Sequence, residues 1–525
     1  MRATAAGALG LGALGLAGCA PTSGSDDGLA ATGAGDVTFD EEYDVIVVGA
    51  GVAGLSAALT VATEGNGETC LLAEKGTVPG GNSPFSDNAV LYVEDADRML
   101  AYMKDLAGDY PPSEAVLKAF SDGLATNLQW IQSLGVPEDQ LYIGDPESWN
   151  AEFYEYENSK DLLYLYKIFN PNDKEDNKYL HQWMLEKAQT YDTITYQTNA
   201  PCEGLIQDPQ SKAVIGAVID GKSIKANKGV ILCCGGFENS PELMENYLKG
   251  AHALPVASTL NTGECIAMCM KAGANLWHMG SWAGSWLAPR NLANDSFLVI
   301  GTQLSRQKIK AHGITVGING RRFYMDYDGH NVKDVEDDSR YGSSMSQHVG
   351  HRHGHQQVGG EWPNLPLPSK AWFVFDQAGL EAGAMGTEFA GDPVADGWCV
   401  TANSIEELAA AIEVPADELV RTVNLWNKWC EEGEDLQYHR PVSTLEPVAT
   451  GPFYAMMCVP TFLNTDGGPQ RNENAQIVDL DGNPIQGLYS SGEFGSIWGH
   501  YYQGAGNLGE CTVFGRIAAE HALGL

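Results

Sequence analysis

Three glycines spaced as G-x-G-x-x-G, Gly49, Gly51 and Gly54, are the residues of this chain whose types and positions most clearly carry chemistry. The segment Gly49-Ala50-Gly51-Val52-Ala53-Gly54 follows the β-branched run Tyr43-Asp-Val-Ile-Val-Val48 and opens the apolar stretch Val52–Glu64, which predicts strand, turn and helix. In that setting the first glycine permits a tight turn and the second lets a pyrophosphate come close. The third lets helix pack on strand, while free N–H groups at the helix start, around Ala53, face the phosphate. A second strand is predicted over Thr69–Ala73, and Glu74 stands just past its end, where a carboxylate can hold a ribose hydroxyl. The pattern reads as a Rossmann βαβ unit that binds a dinucleotide.

Four further segments say which one. Glu74-Lys75-Gly-Thr-Val-Pro-Gly80-Gly81-Asn82-Ser83 resembles the loop after the second strand in the fumarate reductase/succinate dehydrogenase flavoprotein superfamily, the FAD-dependent oxidoreductase 2 group, which also holds 3-ketosteroid dehydrogenases. Val230-Ile-Leu-Cys-Cys-Gly235-Gly-Phe237, Asn464-Thr-Asp-Gly-Gly468 with Pro484 to Glu493, and Asn507-Leu-Gly-Glu-Cys-Thr-Val-Phe-Gly-Arg516 follow in that family's order. The resemblance covers residues 42–520. It implies FAD, with Gly81, Asn82 and Ser83 near the flavin and Cys202 at the adenine through its backbone. Glu493 would hold the ribityl chain, and the Asn507 and Leu508 amides would meet the pyrimidine end of the ring. Lys75, Gly235 and Glu264 complete the expected cofactor surface. Gly80–Asn88, where some relatives attach FAD covalently, contains no histidine, so the flavin is expected to be noncovalent.

The departures concern substrate. Fumarate reductases place a substrate-clamping arginine where this chain has Tyr502, a histidine where it has Asn464, and a proton-donating arginine at a position that aligns with Leu380. A dicarboxylate needs bidentate cationic partners, so fumarate and succinate are poor candidates. Tyr502-Gln-Gly504-Ala-Gly506 resembles instead the Tyr-x-Gly-x-Gly of ketosteroid dehydrogenases, in which the tyrosine hydroxyl and a glycine N–H, here Gly506, polarise a carbonyl. Two donors on that oxygen stabilise the enolate-like charge of a reaction at a conjugated C=C bond. Tyr501 and Tyr502 also suit plain packing beside the flavin. Gly320-Arg321-Arg322-Phe323-Tyr-Met-Asp326 resembles the family's Gly-x-Arg-Phe-x-Asn-Glu, which makes Asp326 a candidate proton carrier. His330 falls where ketosteroid dehydrogenases carry a basic tyrosine, and it titrates near neutrality. His348, His351, His353 and His355 lie in a polar, glycine-rich stretch that reads as solvated, and no metal site is assigned.

The elements that must position these residues give an α/β reading. A Rossmann-like FAD-binding domain is expected over 42–300 and 463–525, with an inserted α+β capping domain for substrate over 301–462. Helices are predicted at Asp95–Leu106, Pro112–Leu134, Ile405–Ile412, Asp417–Glu432 and Gly506–Leu523, with another after Gly263. A strand is predicted at Gly229–Cys234. Residues 1–19 read as an export signal, and Leu16-Ala17-Gly18-Cys19 resembles a bacterial lipobox with Cys19 as the lipidated residue. Arg2 and the residues after it resemble the tail of a twin-arginine signal whose arginine pair lies upstream. Residues 20–41 read as a flexible linker.

A chain of 525 residues that is 44% hydrophobic can bury more than one core. Its charge, 31 basic against 68 acidic residues for a net −37, repels nucleic acid and anionic lipid, leaving a lipid anchor as the membrane contact. The 11 cysteines include no CxxC, which argues against a zinc ribbon or iron–sulfur cluster. The combined expectation is an exported FAD enzyme that reduces a C=C bond conjugated to a carbonyl, fed by a separate redox protein. Desaturation of a 3-ketosteroid-like substrate, and a non-catalytic flavin lipoprotein that binds a ligand or carries electrons, stay open.

Overall fold

The strand Glu41–Val48 explains the architecture. Val45 and Val47 join one apolar cluster while Ile46 and Val48 join another, so the run is β-branched because both of its faces are buried. The computed structural model describes residues 38–108, 111–144, 156–173, 176, 178–248, 253–283, 286–296, 312–323, 370–384, 391–440, 442–499 and 502–525. Asp326, His330, Tyr501, Cys19 and the four-histidine segment lie outside these.

An eight-stranded sheet runs in the order Gln476–Val478, Pro484–Ser490, Lys222–Leu232, Glu41–Val48, Cys70–Ala73, Ile194–Gln197, with Cys202–Gln207 and Val214–Ile219 joined to it as a meander. Glu41–Val48 pairs in parallel with Cys70–Ala73 and with Lys222–Leu232, placing Val48 opposite both Ala73 and Leu232. The carboxyl ends of these strands therefore finish together, and the phosphate turn leaves from that edge. Helices Val52–Glu64, Ala96–Ala107, Glu114–Ser133 and Gly506–Leu523 cover one face. The strand Lys222–Leu232 begins well before the expected Gly229. Its first half pairs antiparallel with Val214–Ile219 and alternates in burial, so it lacks the continuous apolar run of its second half.

A second, six-stranded sheet is built around Phe453–Phe462. It takes Ala371–Asp376, Ile314–Gly317 and Cys399–Ala402, and also Leu254–Pro255 and Trp286–Pro289 from ahead of residue 301. Phe373 and Phe375 face the flavin-domain cluster, while Trp372 and Val374 face helices Ile405–Ala411 and Ala416–Glu432. The result is a Rossmann-like α/β domain carrying an inserted α+β cap.

Candidate active site

The phosphate turn is held from outside its own sequence. Gly49 has φ +100°, and a Cβ there would lie 2.3 Å from the Cys233 carbonyl oxygen, so only glycine fits. A Cβ on Gly51 would stand 3.2 Å from both the Gly80 carbonyl oxygen and Ser83 Oγ. Gly54 does a different job: its Cβ would fall 1.8 Å from the Gly49 carbonyl oxygen, which makes it the helix–strand contact. The Val52 N–H, in the first turn of the helix, donates to Ser83 Oγ at 3.0 Å, and the Ala50 N–H donates to Glu74 Oε2 at 3.1 Å. His181 supplies a third clasp, because its Nε2 lies 2.9 Å from the Ala50 carbonyl oxygen. A carbonyl only accepts, so that nitrogen carries the hydrogen, and burial lowers the imidazole pKa and favours the neutral ring.

A cavity of about 560 Å³ opens at this edge of the sheet, a size suited to a cofactor. Its wall includes Gly49, Gly51, Ala53, Glu74, Lys75, Gly81, Asn82, Ser83, Cys202, Gly235, Glu264, Glu493, Asn507 and Leu508, the predicted cofactor residues other than Gly54. Gly235, at φ +68°, lies against Asn261, where a Cβ would stand 2.7 Å from Oδ1. Lys75 pairs with Glu264 and donates to Thr262 Oγ1 at 3.0 Å.

Glu493 is reached through an amide. Asn82 Nδ2 donates to Glu493 Oε2 at 3.0 Å and to Glu238 Oε1 at 2.9 Å. Glu238 also accepts from Asn261 Nδ2 at 2.7 Å and Thr465 Oγ1 at 3.1 Å. Burial, then the charges of Glu238 and Asp466, push the Glu493 carboxyl well above the usual carboxylate range. Behind this turn Arg471 is fully buried. It donates to the carbonyls of Ser490 at 3.1 Å and Gly492 at 2.8 Å, to that of Gly495, and to Glu510 Oε1 at 2.7 Å.

Tyr502 lines the cavity at 4% exposure, edge-on to Trp498 at 5.4 Å. The Asn507 N–H donates to its hydroxyl oxygen at 3.2 Å, so this amide is already engaged, which corrects its expected place at the flavin ring. Gly506 corrects the expectation: it is not part of the cavity wall, and its N–H donates to the Gln503 carbonyl at 2.8 Å. Its requirement for glycine is steric, since a Cβ would lie 2.4 Å from the Trp498 ring. Asn464 and Asn507 join through Nδ2 of Asn507, which donates to Oδ1 of Asn464 at 2.8 Å. Leu380 packs on the cluster beneath the cap and does not line the cavity.

Glu238, His181 and Arg471 were missed by sequence reasoning. Each acts on a partner at least 19 residues away, so no local pattern marks them. Arg471 left one trace, as a lone cation in a glycine-rich segment that the fold must neutralise. Among the described residues, no group of three His, Cys, Asp or Glu side chains is placed to hold a metal ion.

The turn, the carboxylate past the second strand and the glycine-walled cavity fit FAD, and comparison with known proteins agrees. The family model described as FAD binding domain (FAD_binding_2) matches residues 44–508. A digoxin reductase from Eggerthella lenta is 26% identical, over 100% of this chain and 96% of that protein. A 3-oxosteroid 1-dehydrogenase from Mycobacterium tuberculosis is 30% identical over 57% of this chain and 53% of its own. The crystal structure of a 3-ketosteroid Δ1-dehydrogenase from Sterolibacterium denitrificans superposes with a TM-score of 0.69 at 22% identity, covering 92% of this chain and 100% of that one. This chain therefore belongs to the FAD-binding flavoprotein family of fumarate reductases and 3-ketosteroid dehydrogenases, and is an FAD-dependent oxidoreductase.

Proposed function

We propose that the enzyme reduces a carbon–carbon double bond conjugated to a carbonyl, with electrons delivered by a separate redox protein at an extracytoplasmic location. The observation that carries this reading is Tyr502 in the cavity wall with the Asn507 N–H on its oxygen. A donor on a phenol oxygen draws electron density from the O–H bond and makes that proton a stronger donor. Directed at a substrate carbonyl, the hydroxyl stabilises negative charge on that oxygen as the conjugated carbon takes up hydride. Bound FAD supplies the two-electron chemistry. Among the described residues no arginine lines the cavity, and the basic side chains there are Lys75, already paired with Glu264, and Lys178. That lining suits a neutral carbonyl better than a dicarboxylate. The full-length likeness to a digoxin reductase favours reduction over the desaturation named for the shorter 3-oxosteroid match.

The test is anaerobic. Holoenzyme reduced with a viologen is mixed with a panel of enones, acrylates and steroids, and return of the oxidised flavin spectrum is expected with at least one unsaturated carbonyl compound. No reoxidation by any of them, together with bleaching of the oxidised enzyme by a saturated ketone, would reverse the assigned direction. Tyr502→Phe is expected to lower turnover by about 10²–10³ while FAD stays bound. Unchanged turnover removes Tyr502 from the chemistry.

A further inference from the structure

Four cysteines gather at the end of the cavity that holds Glu74, Lys75 and Glu264. Cys202, Cys234 and Cys265 are in the wall, and Cys269 lies one turn along the helix Glu264–Lys271. Cys234 follows the strand Lys222–Leu232, and Cys265 sits in the first turn of that helix. Their sulfurs are 3.1 Å apart, and both cysteines are free thiols. A disulfide needs about 2.05 Å, so side-chain rotation of about 1 Å closes the gap. Cys202 also meets the Cys265 thiol, and its sulfur lies 4.0 Å from Met268 Sδ.

We propose that Cys234 and Cys265 are a reversible disulfide site at the adenosine end of the FAD cavity, open to a small disulfide such as oxidised glutathione when FAD leaves and shielded when FAD is bound. Cys234 attacks first. Contact with Cys265 pulls its thiol down, while burial and neighbouring thiols push it up to about 11; Cys265 and Cys202 are held well above the usual thiol range. The Cys234 thiolate displaces one glutathione and forms a mixed disulfide. Cys265 then gives up its proton, attacks the Cys234 sulfur and displaces the second glutathione. Two protein thiols are oxidised and one glutathione disulfide is reduced to two thiols. Because the thiolate is the nucleophile, the rate rises about tenfold per pH unit below the Cys234 pKa.

The experiment uses full-length holoenzyme incubated with oxidised glutathione over a series of added FAD concentrations, read by intact mass and peptide mapping. Expected is a Cys234–Cys265 link whose rate falls about tenfold for each tenfold rise in FAD above its dissociation constant. It should reverse with dithiothreitol, with recovery of bound flavin. Cys265→Ser should trap Cys234 as the glutathione mixed disulfide, which keeps the test decisive even where the bridge itself is short-lived. A link from Cys265 to Cys202, a rate independent of FAD, or no modification of Cys234 in the Cys265→Ser protein overturns the proposal.

Discussion

Among the described residues, two arginine–carboxylate pairs are fully buried, and they are built differently. In the cap, Arg322 meets Asp435 as a fork, Nη1 to Oδ1 at 3.0 Å and Nη2 to Oδ2 at 2.9 Å, with its guanidinium against the rings of Trp426 and Tyr438. Asp435 also accepts the N–H groups of Gln437 and Arg440, and although burial opposes it, Arg322 and these donors hold its carboxyl below the ordinary range. Under the FAD cavity, Arg471 gives Glu510 a single bond and spends its other donors on the carbonyls of the turn that carries Glu493. Burial pushes Glu510 up to about 7. The first pair is a two-bond fork and locks the cap. The second is a clamp whose charge is only partly balanced, and its product is the position of Glu493.

The largest expected effects come from removing each cation. Arg471→Met and Arg322→Met should each cost about 3–5 kcal/mol of stability, because a carboxylate is left buried without its partner. Only Arg471→Met should also release flavin, measured as free FAD after ultrafiltration at a temperature where both variants are folded. Equal flavin retention would erase the distinction between clamp and lock.

Acid–base behaviour separates the pairs further. Glu510 takes up its proton at about 7 when folded and at 4.5 when unfolded, so between those values the folded chain binds the extra proton and stability falls as pH rises. Asp435 has a lowered folded pKa, so its contribution is present above its ordinary 3.8 and is lost as pH falls below that. Thermal melting of Glu510→Gln should lose the neutral-side slope and keep the acid one. A slope unchanged by Glu510→Gln would place the titration elsewhere.

A smaller effect tests the phosphate turn. Ser83→Ala removes the acceptor of the Val52 N–H and should cost about 1 kcal/mol, as loss of a helix cap does. FAD should bind more weakly in proportion, in an equilibrium titration.

The two regions also differ in how well the sequence announced them. Helices Val52–Glu64 and Gly506–Leu523 match their predicted bounds, because glycine punctuation and apolar periodicity mark both ends locally. The cavity wall followed from motif order for the same reason. Glu238, His181 and Arg471 stayed hidden because a buried polar residue is chosen by its partners, and those come from distant strands and loops. The cap announced its helices Ile405–Ala411 and Ala416–Glu432 but not that its sheet would recruit Trp286–Pro289, whose register depends on Phe453–Phe462 arriving beside it.

Gly515 lies against the opening helix so closely that a Cβ would stand 2.6 Å from the Ala53 carbonyl oxygen. The βαβ unit that begins the domain is thus covered by the helix that ends it, with 432 residues of chain between Ala73 and Gly506. During synthesis the motif emerges well ahead of that helix, and the surface the helix covers waits until the intervening chain has been made. Cofactor capture is therefore a late event in the life of this chain, and a chaperone that shields the nascent N-terminal half would raise the yield of holoenzyme without touching the finished protein.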